Sequence, residues 1–148
     1  MSSVWNTALN ILARREHSES ELQAKLARKF PEESDQIEAV IARLQEQGLQ
    51  SDERFTEMWV RSQLMKGRGP IRIVNEARQR GIAERVEQAL GSLDHDWFEA
   101  ALDVAKRKFP NGVSFEQQAK VYRFLSYRGY SSDCIRYVCD TLKQSASD

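Results

Sequence analysis

Two histidines, two cysteines and one glycine-flanked arginine are the residues best placed to carry chemistry in this chain of 148 residues. The arginine lies in Lys66-Gly67-Arg68-Gly69-Pro70. A nucleotide-hydrolysing loop needs Gly-x-x-x-x-Gly-Lys-Ser/Thr after a strand, so that backbone amides wrap a phosphate and the lysine reaches its outer oxygens. Neither the spacing nor a preceding strand is present. A dinucleotide loop, Gly-x-Gly-x-x-Gly, fails as well, because Arg72 takes the place of the third glycine. His17 and His95 stand among polar residues, just outside or at the start of predicted helices, and no His-x-x-x-His, Cys-x-x-Cys or His-Glu-x-x-His supplies a metal-ligand set. Cys134 and Cys139, five apart on a predicted helix, point about 140° away from each other. They are read as small apolar residues rather than as a disulfide or a redox pair. No Gly-x-Ser-x-Gly elbow occurs, and the carboxylates fall at helix starts and beside Lys and Arg. The expectation is a protein that is not an enzyme and uses no cofactor, metal or small-molecule substrate.

What the glycines leave unexplained is charge. Between Arg61 and Ile82 six cations, Arg61, Lys66, Arg68, Arg72, Arg78 and Arg80, share a single acid, Glu76. A second cluster is Lys106-Arg107-Lys108, with Lys120, Arg123 and Arg128 following, and a third is Lys25, Arg28 and Lys29. Basic residues in a last helical turn complement the helix dipole by about 0.3–1 kcal/mol each, which is the bland explanation. The low acid count favours binding for the first cluster. Arg28, Lys29, Arg61, Lys66, Arg68, Arg72, Arg78, Arg80, Lys106, Arg107, Lys108, Arg123 and Arg128 are therefore the candidate contacts for a partner or for DNA. Few aromatic residues stand beside these arginines in sequence, which argues against a single-strand stacking platform.

The elements that must position these cations read as helices throughout. Apolar residues recur at three and four, as in Leu22, Leu26 and Phe30, in Ile37, Val40, Ile41 and Leu44, and in Ile135, Val138 and Leu142. No alternating strand pattern is present. Ser18 with Glu21 and Ser114 with Gln117 form capping boxes, and Ser51, Asp96 and Ser131 are further N-caps. Gly48, Gly67, Gly81, Gly91 and Gly129 each follow an apolar-periodic run, where a glycine ends a helix cheaply. These signals predict nine helices, at about 3–14, 18–29, 33–47, 51–66, 70–80, 84–90, 95–109, 115–128 and 132–143. On the helix from Pro70, periodicity places Ile71, Val74 and Ala77 (or Arg78) inward and Arg72, Asn75, Gln79 and Arg80 toward solvent.

A repeat underlies the series. "ARQRGIAERVEQAL" (77–90) and "LSYRGYSSDCIRYVCDTL" (125–142) each end a basic helix on Arg-Gly, place an apolar residue next, and open another apolar helix after a polar turn. "LARKFPEESDQIEAVIARL" (26–44) is a looser copy. The reading is all-α, three tandem three-helix repeats at 1–49, 50–91 and 92–148, stacked as one elongated module because so short a unit buries little alone. The 22 basic and 22 acidic side chains cancel, so no global field attracts polyanions. With no apolar run near the roughly 20 residues of a membrane span, and no signal-peptide pattern at the start, the expected compartment is the cytoplasm.

In order along the chain, "LARREHSESELQAKLARKF" (12–30), "VIARLQEQGLQSDERFTEMWVRS" (40–62), "KGRGPIRIVNEARQRGI" (66–82) and "KVYRFLSYRGYSSDCIRYV" (120–138) resemble the RecX family, regulators of the bacterial recombinase RecA. Thr56 stands where that family usually has alanine, and Ala77 where leucine is common. The resemblance implies a bent array of three three-helix repeats. It also implies a modulator that lies in the groove of the RecA–single-stranded DNA filament and restrains filament growth, ATP hydrolysis and repressor cleavage. The alternative from the residues is a helix-turn-helix-like protein that binds DNA directly, without RecA; weak DNA binding is compatible with both.

Overall fold

A computed structural model describes residues 2–147, with side chains placed for 2–143. The described residues form nine α-helices and no strand: α1 (Ser3–Arg14), α2 (Glu19–Lys29), α3 (Ser34–Glu46), α4 (Asp52–Met65), α5 (Pro70–Gln79), α6 (Ala83–Ser92), α7 (Trp97–Lys108), α8 (Gln118–Arg128) and α9 (Ser132–Ser147). A single 3-10 turn, Phe115–Gln117, leads into α8, so the helix expected from 115 begins with a tighter turn.

The helices group in threes, each group around its own core. Val4, Ala8, Leu22, Leu26, Ile37, Ile41 and Leu44 fill the first. Phe55, Trp59, Val60, Ile73, Ala77, Ile82 and Val86 fill the second. The third is larger and includes Ala101, Leu102, Val121, Leu125, Tyr130, Ile135 and Val138. Trp97 packs against both the second and third cores, which makes them neighbours. Cys134 is buried in the third core and Cys139 is half-buried; both thiols are free, and burial pushes the Cys139 thiol above its ordinary pKa.

Local signals set the helix ends. Ser18 Oγ accepts from Glu21 N at 3.1 Å while Glu21 Oε1 accepts from Ser18 N at 3.2 Å, the reciprocal capping box. Ser51 and Asp96 cap α4 and α7 by accepting from Arg54 N and Glu99 N. Four helices stop alike. Gly48, Gly67, Gly81 and Gly129 have positive φ, and the amide after each reaches back five residues: Leu49 to Leu44, Arg68 to Gln63, Ile82 to Ala77 and Tyr130 to Leu125. The apolar residue after each Arg-Gly, Ile82 or Tyr130, is thereby turned into its core. Gly91 departs from this pattern. It lies inside α6, which ends at Ser92 when Leu93 turns extended.

The face of α5 also differs from the periodic expectation. Ile73 and Ala77 are buried, whereas Ile71 is 53% exposed. With Ile71, Ile73 and Val74 all apolar, spacing alone permits two helical phases. Contacts at the start of α5 choose between them: Gly69 N donates to Arg128 O at 2.8 Å, and Ile71 N donates to Gly129 O at 3.0 Å.

Those two bonds define how the units join. The last carbonyls of α8 accept from the first free amides of α5, so each end satisfies groups the other leaves orphaned. Closer to the N-terminus the same junction recurs: Ser18 Oγ, at the start of α2, donates to Arg80 O at the end of α5, 2.7 Å away. The second helices α8, α5 and α2 thus meet end to start, with a negative dipole end against a positive one each time.

Candidate polyanion interface

Three of the arginines expected to face a partner, Arg68, Arg72 and Arg80, are instead held in ion pairs. Arg80 pairs with Glu21 of the first unit at 2.8 Å, and its guanidinium lies 5.6 Å from the Trp59 ring. Burial by itself would raise the Glu21 carboxyl; the bonds from Arg15 and Ser18 and the charge of Arg80 outweigh it and hold the pKa below the ordinary value. Arg68 reaches Gln63 at 2.6 Å and Glu76 at 3.1 Å, and Arg72 reaches the other Glu76 oxygen at 3.0 Å. The expectation that Arg72 and Arg80 point freely to solvent is corrected: both are half-buried and ion-paired. The single acid counted between Arg61 and Ile82 is joined in space by a second, Glu21, from a different unit.

His17 sits in the first junction and is only 1% exposed. Its Nδ1 lies 3.0 Å from Arg15 O and its Nε2 lies 2.7 Å from Lys25 Nζ. A carbonyl only accepts and an ammonium only donates, so the proton is on Nδ1 and Nε2 accepts. Burial lowers the imidazole pKa, and the charges of Arg15 and Lys25 add to this, while the bond to Arg15 O opposes it. The ring is a neutral structural bridge. Buried Gln50 continues the bridge by donating to His17 O and Asp52 Oδ1 at 3.2 and 3.0 Å. His95 packs edge-on to Trp97. Among the described residues, no three His, Cys, Asp or Glu side chains are grouped to hold a metal ion.

At the second junction the cations stay free. The end of α4, the last turn of α7 and the end of α8 enclose a cleft of about 290 Å³ that contains Lys66, Arg107, Lys108 and Arg128. No carboxylate lines it, and none of the four enters an ion pair among the described residues. Arg128 donates to Lys66 O at 2.8 Å, which ties α8 to α4. Arg128 and Lys108 lie 5.1 and 5.9 Å from the Phe124 ring centre, so the ring holds both cations in place. Tyr130 reinforces the wall by donating to Gly67 O at 2.8 Å. Burial pushes its phenol up to about 12, which keeps it a neutral donor. Met65, at the rim, is 82% exposed. The bond to Lys66 O, the Phe124 ring and the helix C-termini offset part of the repulsion among these four cations. No carboxylate neutralises them, so the cleft carries a local positive field.

The remaining candidates lie elsewhere. Arg28 and Lys29 end α2 in the first unit, with Lys29 5.8 Å from the Phe30 ring. Arg61 is exposed on α4, and Lys106 and Arg123 are exposed on α7 and α8. Arg78 donates to Asn75 Oδ1 at 2.7 Å. A larger cleft of about 680 Å³ between the first and second units includes Arg15, Arg68 and Arg80, but Glu16 and Glu76 line it too and these arginines are paired. Missed from the sequence were the roles of Phe124 and Met65 at the free cleft; only the proximity of α4, α7 and α8 reveals them.

Three family models match in tandem: the first, second and third three-helix domains of RecX, over residues 5–44, 51–90 and 94–139. Regulatory protein RecX of Halorhodospira halophila is 39% identical over 137 residues, covering 90% of this chain and 84% of that protein. The Pseudomonas fluorescens protein of the same name is 43% identical over 136 residues, covering 90% and 87%. A crystal structure of RecX from Lactobacillus salivarius superposes with a TM-score of 0.73 at 25% identity, over 97% of this chain and 94% of that one. With all three domains matched in order and relatives this similar over nearly their full length, the chain belongs to the RecX family.

Proposed function

We propose that this chain is a non-enzymatic regulator that binds the recombinase RecA and its single-stranded DNA filament, restraining ATP hydrolysis, recombination and repressor cleavage in DNA repair and the SOS response. Membership of a family of regulatory proteins supports this partner. The observation that carries the chemistry is the acid-free cleft of Lys66, Arg107, Lys108 and Arg128, built by two units and open to an acidic surface. Tandem units joined end to start give a partner with repeated subunits several places to bind, so weak patches add by avidity. The proposed setting is the cytoplasm, with no cofactor and no small-molecule substrate; no helix among the described residues is long and apolar enough to cross a membrane.

The test is a titration of RecA ATPase on single-stranded DNA with wild type and with a Lys66→Glu/Arg107→Glu variant. Both side chains are exposed and outside the ion pairs of the described residues, so the variant is expected to fold, which circular dichroism melting checks. Wild type inhibits, and the variant needs roughly ten-fold more protein for the same inhibition, equivalent to about 1.4 kcal/mol of lost affinity. ATPase left unchanged at saturating wild-type protein refutes the reading. Inhibition unaltered by the double reversal removes the cleft from it.

A further inference from the structure

On the α5 side of the second junction lies a surface the cleft does not use. Lys120, Arg123 and Tyr127 follow one another at three and four residues and so share one face of α8. All three are exposed, and neither cation enters an ion pair among the described residues. Tyr127 is 77% exposed. One face of its ring is covered by Arg72 of the second unit, whose guanidinium carbon is 5.0 Å from the ring centre and is held there by Glu76. The high exposure leaves the other ring face to solvent.

We propose that this face binds single-stranded nucleic acid directly, with one unpaired base stacked on Tyr127 and the flanking phosphates held by Arg123 and Lys120. The ring is already backed by an ion-paired cation, so a base that stacks on its free face meets a ring held in place. Beside it is a shallow cleft of about 310 Å³, where Gln79 offers a donor and an acceptor and Asn75 a donor to a base edge. Its lining carboxylate, Glu76, is neutralised by Arg68 and Arg72. Arg123 stands about 6 Å from Tyr127 along the helix axis, the scale of one extended nucleotide. A duplex has no base face to offer, which favours a single strand. An acidic peptide would use the cations and leave the ring idle. The sequence shows few aromatics beside arginines; the Tyr127–Arg72 stack exists only because α8 ends where α5 begins.

The experiment needs no RecA: fluorescence anisotropy of a labelled oligothymidylate about twenty nucleotides long, over a range of salt. Wild type binds, with affinity falling as salt rises. Tyr127→Ala weakens binding about five-fold or more, Tyr127→Phe binds as wild type does, and Arg123→Gln lowers the salt slope by about 0.7. Circular dichroism melting confirms that these surface variants fold. No binding by wild type, full binding by Tyr127→Ala, or equal Tyr127-dependent binding of a duplex overturns the proposal. So does Tyr127-dependent competition by polyglutamate, which would mark a peptide site. RecA inhibition is scored separately: inhibition without oligonucleotide binding overturns this proposal alone, and oligonucleotide binding without inhibition supports it while overturning the regulatory reading.

Discussion

Replacing three glycines by alanine separates two reasons why glycine stands at the unit junction. Gly48 has φ +73 and nothing within 4 Å of where a Cβ would be, so Gly48→Ala carries only the left-handed backbone cost. That is about 1–2 kcal/mol, offset by about 0.4–1 kcal/mol from the stiffer unfolded chain, leaving a net loss of about 1 kcal/mol. Gly69 is the opposite case. Its φ is −88, which alanine adopts freely, but a Cβ would lie 2.5 Å from Gly129 C and 2.7 Å from Tyr130 N. Neither is a flexible side-chain tip, so α5 and α8 must separate and the amide bonds of Gly69 and Ile71 to α8 must lengthen. At about 1 kcal/mol for each bond, and more for buried groups left unmet, Gly69→Ala costs about 2–3 kcal/mol. Gly129 combines both, with φ +98 and a Cβ 2.5 Å from Arg72 N, for about 3–4 kcal/mol. Denaturant unfolding at constant slope reads all three, and hydrogen exchange at the Gly69 and Ile71 amides locates the damage. A Gly69→Ala variant no less stable than Gly48→Ala, with those amides still protected, would refute the end-to-start joining of α8 and α5.

Other expected outcomes follow from single buried groups. Thr56 Oγ1 is buried with no hydrogen-bond partner among the described residues, so Thr56→Val should raise stability by about 1 kcal/mol; a lower unfolding midpoint would show that the hydroxyl is bonded after all. His17 has a folded-state pKa below 6.5, set first by burial and then by Arg15 and Lys25, against the bond to Arg15 O and the charge of Glu21. The unfolded chain therefore takes up the proton first, so His17's contribution is complete above about pH 6.5 and is lost as pH falls. Glu21 adds a second loss at lower pH, below about 4.5. Urea midpoints between about pH 7 and pH 5 should fall in wild type and fall less in His17→Gln; identical slopes would remove His17 as the cause.

The helices were legible because their signals are local. A serine with a glutamate three residues on starts α2, and a glycine after an apolar run stops α4 or α8, whatever else the chain does. The same locality explains the failures. Gly91 carries the stop signal but remains helical: it does not take the positive φ of the other four, and Ser92 stays in α6 before Leu93 turns extended. The inward face of α5 was ambiguous because three apolar residues fit two phases, and a carbonyl on α8 decided it. The Thr56 departure from family habit was visible in the chain, but its unpartnered hydroxyl was not.

By itself the sequence determined the helical class and the caps, carried by residues within a few positions of one another. It also determined the threefold repetition and the family, carried by the recurrence and order of such local patterns along the chain. The tertiary structure alone decided which cations are free. Arg80 finds Glu21 and Arg72 meets Tyr127 across unit junctions, while Lys66, Arg107, Lys108 and Arg128 converge without an acid. The reason is physical: charges a few ångströms apart are settled by which helix ends abut, and the energy of that contact lies between segments, where no local spacing records it.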